Sequence, residues 1–366
     1  MRRAHWQVPT KDSVQQPMVY HCIVRVVERR MAFGQEEKEQ FRSYLRLYES
    51  FSGCRVLAYC VMGNHAHLLV EVPPPATSAR SDKELLQHLG VLYHEEVVAG
   101  VARELADLRH KVKLGEADEA LVQQVHERYT YRMHSLSQFM KSVMQRFTQW
   151  FNRKHDRSGG LWEDAYKSVL VELGTASRII AAYIDLNPVR AGIVKDPAEY
   201  RWCSYGEAMG GWAKGGGKMA RAGLVRAIIG DAGGAAGAPQ WTGKVAKDYR
   251  ILLLAGGAEN LPELAVGEVK ANAKRAGKGV RKTAATQQEP AEQSGDLALG
   301  RMLRTPIRYF TDGAVIGSRE FVDGVFHANR DQFSDKRKSG ARKLRGNAAA
   351  AAGVLWSVRN LTKRIV

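Results

Sequence analysis

Two short stretches of the chain carry residue types that can do chemistry at a phosphate. The first is His65-Ala66-His67. In an extended strand, residues i and i+2 share a face, so the two imidazoles stand side by side while Ala66 points away. Such a pair is a platform for a divalent cation, and two ligands leave coordination positions open for a substrate oxygen. By itself a His-x-His step also occurs with one ring packed and the other exposed. The setting narrows the choice. The pair follows the Gly63-Asn64 turn and runs into Leu68, Leu69 and Val70. An apolar strand carries two such rings on one face at a cost unless they find partners.

The second stretch is Tyr183-Ile184-Asp185-Leu186-Asn187-Pro188. Tyr183 and Asn187 are four apart and share a face if the segment is helical. Pro188 disfavours helix at the preceding residue, so the helix should end at or just before Asn187. A phenol, with a pKa of about 10, is a poor nucleophile unless a cation polarises the phosphate or helps remove the proton. The carboxamide of Asn187 offers a hard oxygen suited to magnesium or manganese. Taken alone, the segment reads more simply as a core tyrosine before an Asn-Pro helix stop.

These residues need a frame. Met18–Val27 is rich in β-branched residues and predicts a strand. Gln35–Ser50 has helical spacing, with Phe41, Leu45 and Tyr48 on one face. Cys54–Met62 and His65–Val72 predict two strands joined by the Gly63-Asn64 turn. Strand, helix and hairpin open an α+β domain with an antiparallel sheet. Ser81–Thr130 reads as an inserted helical pair turning near Gly115, and Ser135–Asn152 as an amphipathic helix with Lys141, Gln145 and Arg146 off its apolar stripe. Trp162–Leu173 is strand-like in part, and Ser177–Leu186 is helical.

Composition bounds the partners. The chain has 366 residues, hydrophobic content of 45% and a formal net charge of +17 from 55 Lys+Arg against 38 Asp+Glu. Such a surplus favours polyanions, nucleic acid above an anionic membrane surface. The cysteines, Cys22, Cys54, Cys60 and Cys203, form no Cys-x-x-Cys pair, which argues against a zinc ribbon or redox motif; Cys54 and Cys60 lie in a strand-like run that suits buried thiols, and a reducing cytoplasm is the simpler setting. Met1–Gln16 lacks the apolar run of a signal peptide, and no stretch has the roughly 20 apolar residues of a membrane span. Composition shifts after Gly206. Residues 210–240 are rich in Gly and Ala, and 267–295 read as a basic, low-complexity linker. Leu303–Phe333 reads as short helices around turns with an N-cap at Ser318, compatible with either a helix-turn-helix-like DNA reader or a structural tail. A dense basic run follows at Lys336–Arg345.

Taken together, Asn64-His65-Ala66-His67-Leu68-Leu69 and Tyr183-Ile184-x-x-Asn187-Pro188-Val189-Arg190-Ala191-Gly192 resemble the single-tyrosine HUH transposases of the insertion-sequence 200 type. Within these the REP-associated tyrosine transposase branch is most similar. Gly160-Leu161-Trp162, Tyr166-Lys167-Ser168 and Tyr200–Ser204 match it in kind. The resemblance covers roughly residues 10–208, with 78–132 as a helical insertion.

The resemblance implies a ferredoxin-like antiparallel sheet with helices on one side. It implies Mg2+ or Mn2+ on His65 and His67, with Asn187 as a third ligand. It implies Tyr183 as the nucleophile on single-stranded, hairpin-associated DNA, leaving a 5′-phosphotyrosine and a free 3′-hydroxyl. Lys141, Arg146, Arg153, Lys154, Arg157, Lys167 and Arg190 are candidate DNA contacts, and Trp150, Trp162 and Tyr166 candidate base-stacking residues. Residues 209–296 are expected to be a weakly structured region and linker, and 297–366 a separate, basic, mainly helical region. The reading requires no small-molecule cofactor and no membrane, and admits a homodimer and a nucleoid-associated, cytoplasmic setting. Two alternatives stand beside it: a domesticated DNA-binding protein without cleavage, and a metal-dependent phosphoesterase that activates water.

Overall fold

The computed structural model describes residues 16–74, 80–210, 216–230, 240–254, 310–311, 313–333, 337–343 and 355–358. The chain begins with β1 (Met18–Arg25), α1 (Gln35–Ser52), β2 (Arg55–Val61) and β3 (His65–Val72). Three helices follow, α2 (Asp82–Leu89), α3 (Glu95–Lys113) and α4 (Glu119–Thr130), and then α5 (Leu136–Lys154) and β4 (Lys167–Val171). Next come α6 (Thr175–Asp185), the single turn α7 (Asn187–Arg190), α8 (Ser204–Gly210), α9 (Lys218–Ile229) and α10 (Gly243–Leu254). The last described elements are β5 (Val315–Gly317), α11 (Arg319–Ala328), β6 (Arg342–Lys343) and β7 (Trp356–Val358).

Leaving the insertion aside, β1-α1-β2-β3-α5-β4 is a ferredoxin-like βαββαβ unit, and its strands lie in the order β2-β3-β1-β4. All three of its strand pairings are antiparallel. β1 is central and has both faces covered, which is why it reads as an almost continuous apolar run. Tyr20, Cys22 and Val24 face a core shared with Phe41, Leu45, Phe139, Met140, Val143 and Phe147, so α1 and α5 lie on one face as expected. Val19 faces the opposite core, with Leu69, Val169, Ile180, Tyr183, Leu224 and Leu252. There α6, α8, α9 and α10 add a second helical layer, so helices cover both faces of the sheet and not the one side expected.

Three further expectations are corrected. The insertion holds three helices rather than two. They bury Leu85, Leu89, Val101, Leu105, Val122 and Val125 against Phe51, and Asp82 accepts from both Arg109 and His126. Gly115, at φ +73°, does turn the chain between α3 and α4.

The Gly/Ala-rich stretch is partly a packed helix. Gly223 lets α9 lie directly on β2, since a Cβ there would sit 2.3 Å from the Val56 carbonyl oxygen. Small residues mark close packing here rather than flexibility.

The described part of the C-terminal region is not separate from the sheet. β5 runs parallel to β4, β7 and β6 extend the sheet beyond it, and Val322, Val325 and Phe326 of α11 join the core under α5. Ser318 is the N-cap of α11, accepting from the Phe321 amide, but a strand precedes it where a helix-turn-helix would need a helix. The expected linker 267–295 and most of Met1–Gln16 lie outside the described residues, as does part of the basic run Lys336–Arg345.

Candidate active site

His65 and His67 leave β3 on the face covered by α6. Their neighbours across the ladder are Arg25 and Ile23 of β1, and Ile23 pairs in turn with Lys167 of β4. Arg25, His65, His67 and Lys167 therefore share one face at one end of the sheet. Two residues further along β1, His21 is on that face too and has no solvent exposure. Its ring stacks on His67 at 5.1 Å between centroids, and the His65 ring stands edge-on to His67 at 5.2 Å.

Hydrogen bonds settle which nitrogens carry protons. The Phe310 carbonyl can only accept, so His21 Nδ1–H donates to it at 2.8 Å. His21 Nε2 then has a lone pair and accepts from His67 Nδ1–H at 2.9 Å. His67 Nε2 is left unprotonated. At the turn, Asn64 donates its amide nitrogen to the Arg29 carbonyl, and its Oδ1 accepts from His65 Nδ1–H at 2.6 Å. His65 Nε2 is left unprotonated as well.

Electrostatics agree with neutral rings. Burial, aided by Arg25 and Arg190, lowers the His65 pKa to about 4. Burial, then the His21 and His65 rings, holds His67 well below the usual histidine range. Burial brings His21 to about 4 against the opposing pull of its bond to Phe310. Neutral imidazoles with a free Nε2 and an anchored Nδ1 are the form in which histidine binds a metal. Among the described residues no group of three or more His, Cys, Asp and Glu side chains could hold an ion.

α6 carries Tyr183 onto the histidines. The tyrosine is buried, its ring 6.2 Å from that of His67. Arg190, on the turn after Pro188, covers the tyrosine face at 3.9 Å and donates Nη2 to the Tyr183 carbonyl at 2.7 Å. Burial lowers the pKa of this guanidinium, yet an arginine keeps its charge at neutral pH. Pro188 ends α6 as expected, and the chain turns once more rather than extending.

The structure thus brings together His65, His67, Tyr183, Lys167 and Arg190. It does not bring the cations of α5 there. Asn187 is buried and donates its amide nitrogen to the Tyr183 and Ile184 carbonyls, closing the end of α6. No hydrogen bond among the described residues joins it to either histidine. Lys141, Arg146, Arg153 and Lys154 lie on α5, across the sheet from the histidines. Lys154 is held by Glu36 and Glu37, and Arg157 donates to the Gly160 carbonyl. Trp162 packs among Phe33, Phe41 and Phe147, and Trp150 lies against Phe147. Sequence reasoning missed His21 and Arg25. The period-2 pattern of β1 does place both on one face, but nothing local links them to residues 65 and 67.

Residues 14–96 match the family model described as "Transposase IS200 like". The match covers under a quarter of the chain. It spans β1 to α2, hence His21, Arg25, His65 and His67, and stops well before the tyrosine helix. A solved structure described as "Structure of the REP associates tyrosine transposase bound to a REP hairpin" is similar to this chain at 10% identity with a TM-score of 0.34, covering 57% of this chain and 85% of that one. No curated protein matches closely enough to count as a relative. Among the described residues no helix is long and apolar enough to cross a membrane. Cys22, Cys54, Cys60 and Cys203 are all free and buried.

Proposed function

We propose that this protein is a DNA transposase that cleaves and rejoins single-stranded, hairpin-associated DNA through a covalent link to Tyr183. The observation that carries the reading is the placement of the Tyr183 ring against His67, one of a pair of neutral histidines on a strand within the IS200-like match, each with Nε2 unprotonated.

In this reading His65 and His67 hold Mg2+ or Mn2+ through Nε2. When bound, the ion neutralises charge on the transferring phosphate and lowers the barrier to its attack. The chain's own groups do the rest. The Tyr183 hydroxyl loses its proton and attacks phosphorus. The bond from phosphorus to the 3′ oxygen breaks, and that oxygen takes up a proton as a free 3′-hydroxyl. The 5′ end remains on Tyr183 as a phosphodiester, so no ATP is needed to reseal it. Arg190, buried against the tyrosine, and Lys167 and Arg25, on the histidine face, supply positive charge where the phosphate must sit. Asn187 holds the end of α6, and with it the tyrosine, in this reading.

The test is incubation of the full chain with labelled single-stranded hairpin DNA and Mn2+, followed by a denaturing gel. A protein-linked band is expected that needs the metal and is lost in Tyr183→Phe and His65→Ala. Cut DNA without a linked band, undiminished in Tyr183→Phe, would overturn the tyrosine mechanism in favour of activated water.

A further inference from the structure

His21 lies in the middle of the central strand with no exposure, and both its ring nitrogens are used. The acceptor that anchors it, the Phe310 carbonyl, is 289 residues away in sequence, far beyond the IS200-like stretch. The Phe310 ring, itself fully buried, stands edge-on to Tyr183 at 5.0 Å and 85°. The segment is fastened where it reaches the sheet: the Leu170 amide donates to the Ala314 carbonyl at 2.9 Å, and β5 continues beside β4. One residue thus touches the two halves of the site by different atoms. The choice of acceptor has a consequence two rings away. A donor in place of the Phe310 carbonyl would reverse His21, and His67 would then carry its proton on Nε2.

We propose that His21 and Phe310 are positioning residues of this site. The Phe310 carbonyl sets the tautomer of His21, His21 presents His67 with Nε2 unprotonated, and the Phe310 ring holds Tyr183 over the histidines. The C-terminal segment is then a working part of the site rather than an appended DNA reader. This inference rests on the reading of His67 as metal ligand and Tyr183 as nucleophile.

The experiment compares full-length wild type, His21→Leu, His21→Gln and Phe310→Ala. Long-range proton–nitrogen correlation spectra of the metal-free proteins report the tautomer of His67. Wild type should show Nδ1 protonated, and His21→Leu should lose that preference. His21→Gln should retain it, because a carboxamide can donate to Phe310 and accept from His67. Calorimetric titration with Mn2+ should show affinity reduced about 10- to 100-fold in His21→Leu, the usual effect of removing a group that orients a ligand, with recovery in His21→Gln. Phe310→Ala keeps the carbonyl. It should keep tautomer and Mn2+ affinity yet slow adduct formation on the order of tenfold, as a misplaced nucleophile does.

The proposal is overturned by an Nε2-protonated His67 in wild type. It is overturned equally by unchanged tautomer and affinity in a folded His21→Leu, or by adduct formation that is unchanged or faster in Phe310→Ala, which would make the ring a cover. If wild type bound no Mn2+ and formed no adduct, the reading of the site would fail, while the spectra would still decide whether Phe310 and His21 set the His67 tautomer.

Discussion

Asp185 stands two residues beyond Tyr183, fully buried at the end of α6. Its Oδ1 accepts from the Tyr205 amide at 3.0 Å and its Oδ2 from the Tyr249 hydroxyl at 2.8 Å. Burial outweighs these hydrogen bonds and raises the carboxyl pKa from 3.8 to about 7. The unfolded chain therefore releases this proton near 3.8, while the folded chain keeps it to about 7. Between those values the folded state binds more protons, so stability falls as pH rises. The gap, at about 1.4 kcal/mol per unit, corresponds to about 4 kcal/mol, absent at acid pH and fully present above neutrality.

Asp185→Asn cannot ionise. Its Oδ1 still accepts from Tyr205, and its amide can donate to the Tyr249 oxygen. Urea unfolding followed by tryptophan fluorescence, at several values from acid to mildly alkaline pH, measures the difference between variant and wild type. That difference should move in favour of the variant by about 2–4 kcal/mol across the window. A difference that stays flat with pH would refute the argument, because lost hydrogen bonds alone would give a constant offset.

Further outcomes follow from the packing and the charge. Gly223→Ala forces a Cβ to 2.3 Å from the Val56 carbonyl oxygen, so it should lower unfolding stability by about 1–3 kcal/mol; an unchanged urea midpoint would contradict the close seating of α9 on β2. DNA affinity should fall steeply with added salt, with a slope of about −0.7 per phosphate neutralised on a single strand, and a flat response would remove the electrostatic case. Lys167→Ala should weaken hairpin binding and flatten that slope by roughly one phosphate contact, whereas Lys141→Ala, on α5 across the sheet, should change neither. Equal effects from the two lysines would refute the assignment of the DNA track to the histidine face.

Several features of this protein are local in origin, and the sequence alone determines them. The period-2 alternation of β3 places His65 and His67 together on one face, the Gly63-Asn64 turn sets where that strand starts, and Pro188 stops the tyrosine helix. The strand-helix-hairpin order and the apolar stripe of α5 specify the βαββαβ unit, because each element declares its buried face within a few residues. The tyrosine and the histidines became legible as one site only through the joint presence of two motifs, since no spacing rule connects positions 67 and 183.

Tertiary structure decided the rest. The stripe of α5 tells which side of that helix is buried but not which face of the sheet it covers, and the structure seats its cations across the sheet from the histidines. A run of Gly and Ala has the same composition in a loose chain and in a helix seated on a strand; only the nearby Val56 carbonyl distinguishes them. The partners that orient His67 lie 46 residues away at His21 and, through it, at Phe310. A hydrogen bond of that kind depends on register across strands and on which distant segment closes the sheet edge, and neither leaves a periodic trace in the chain.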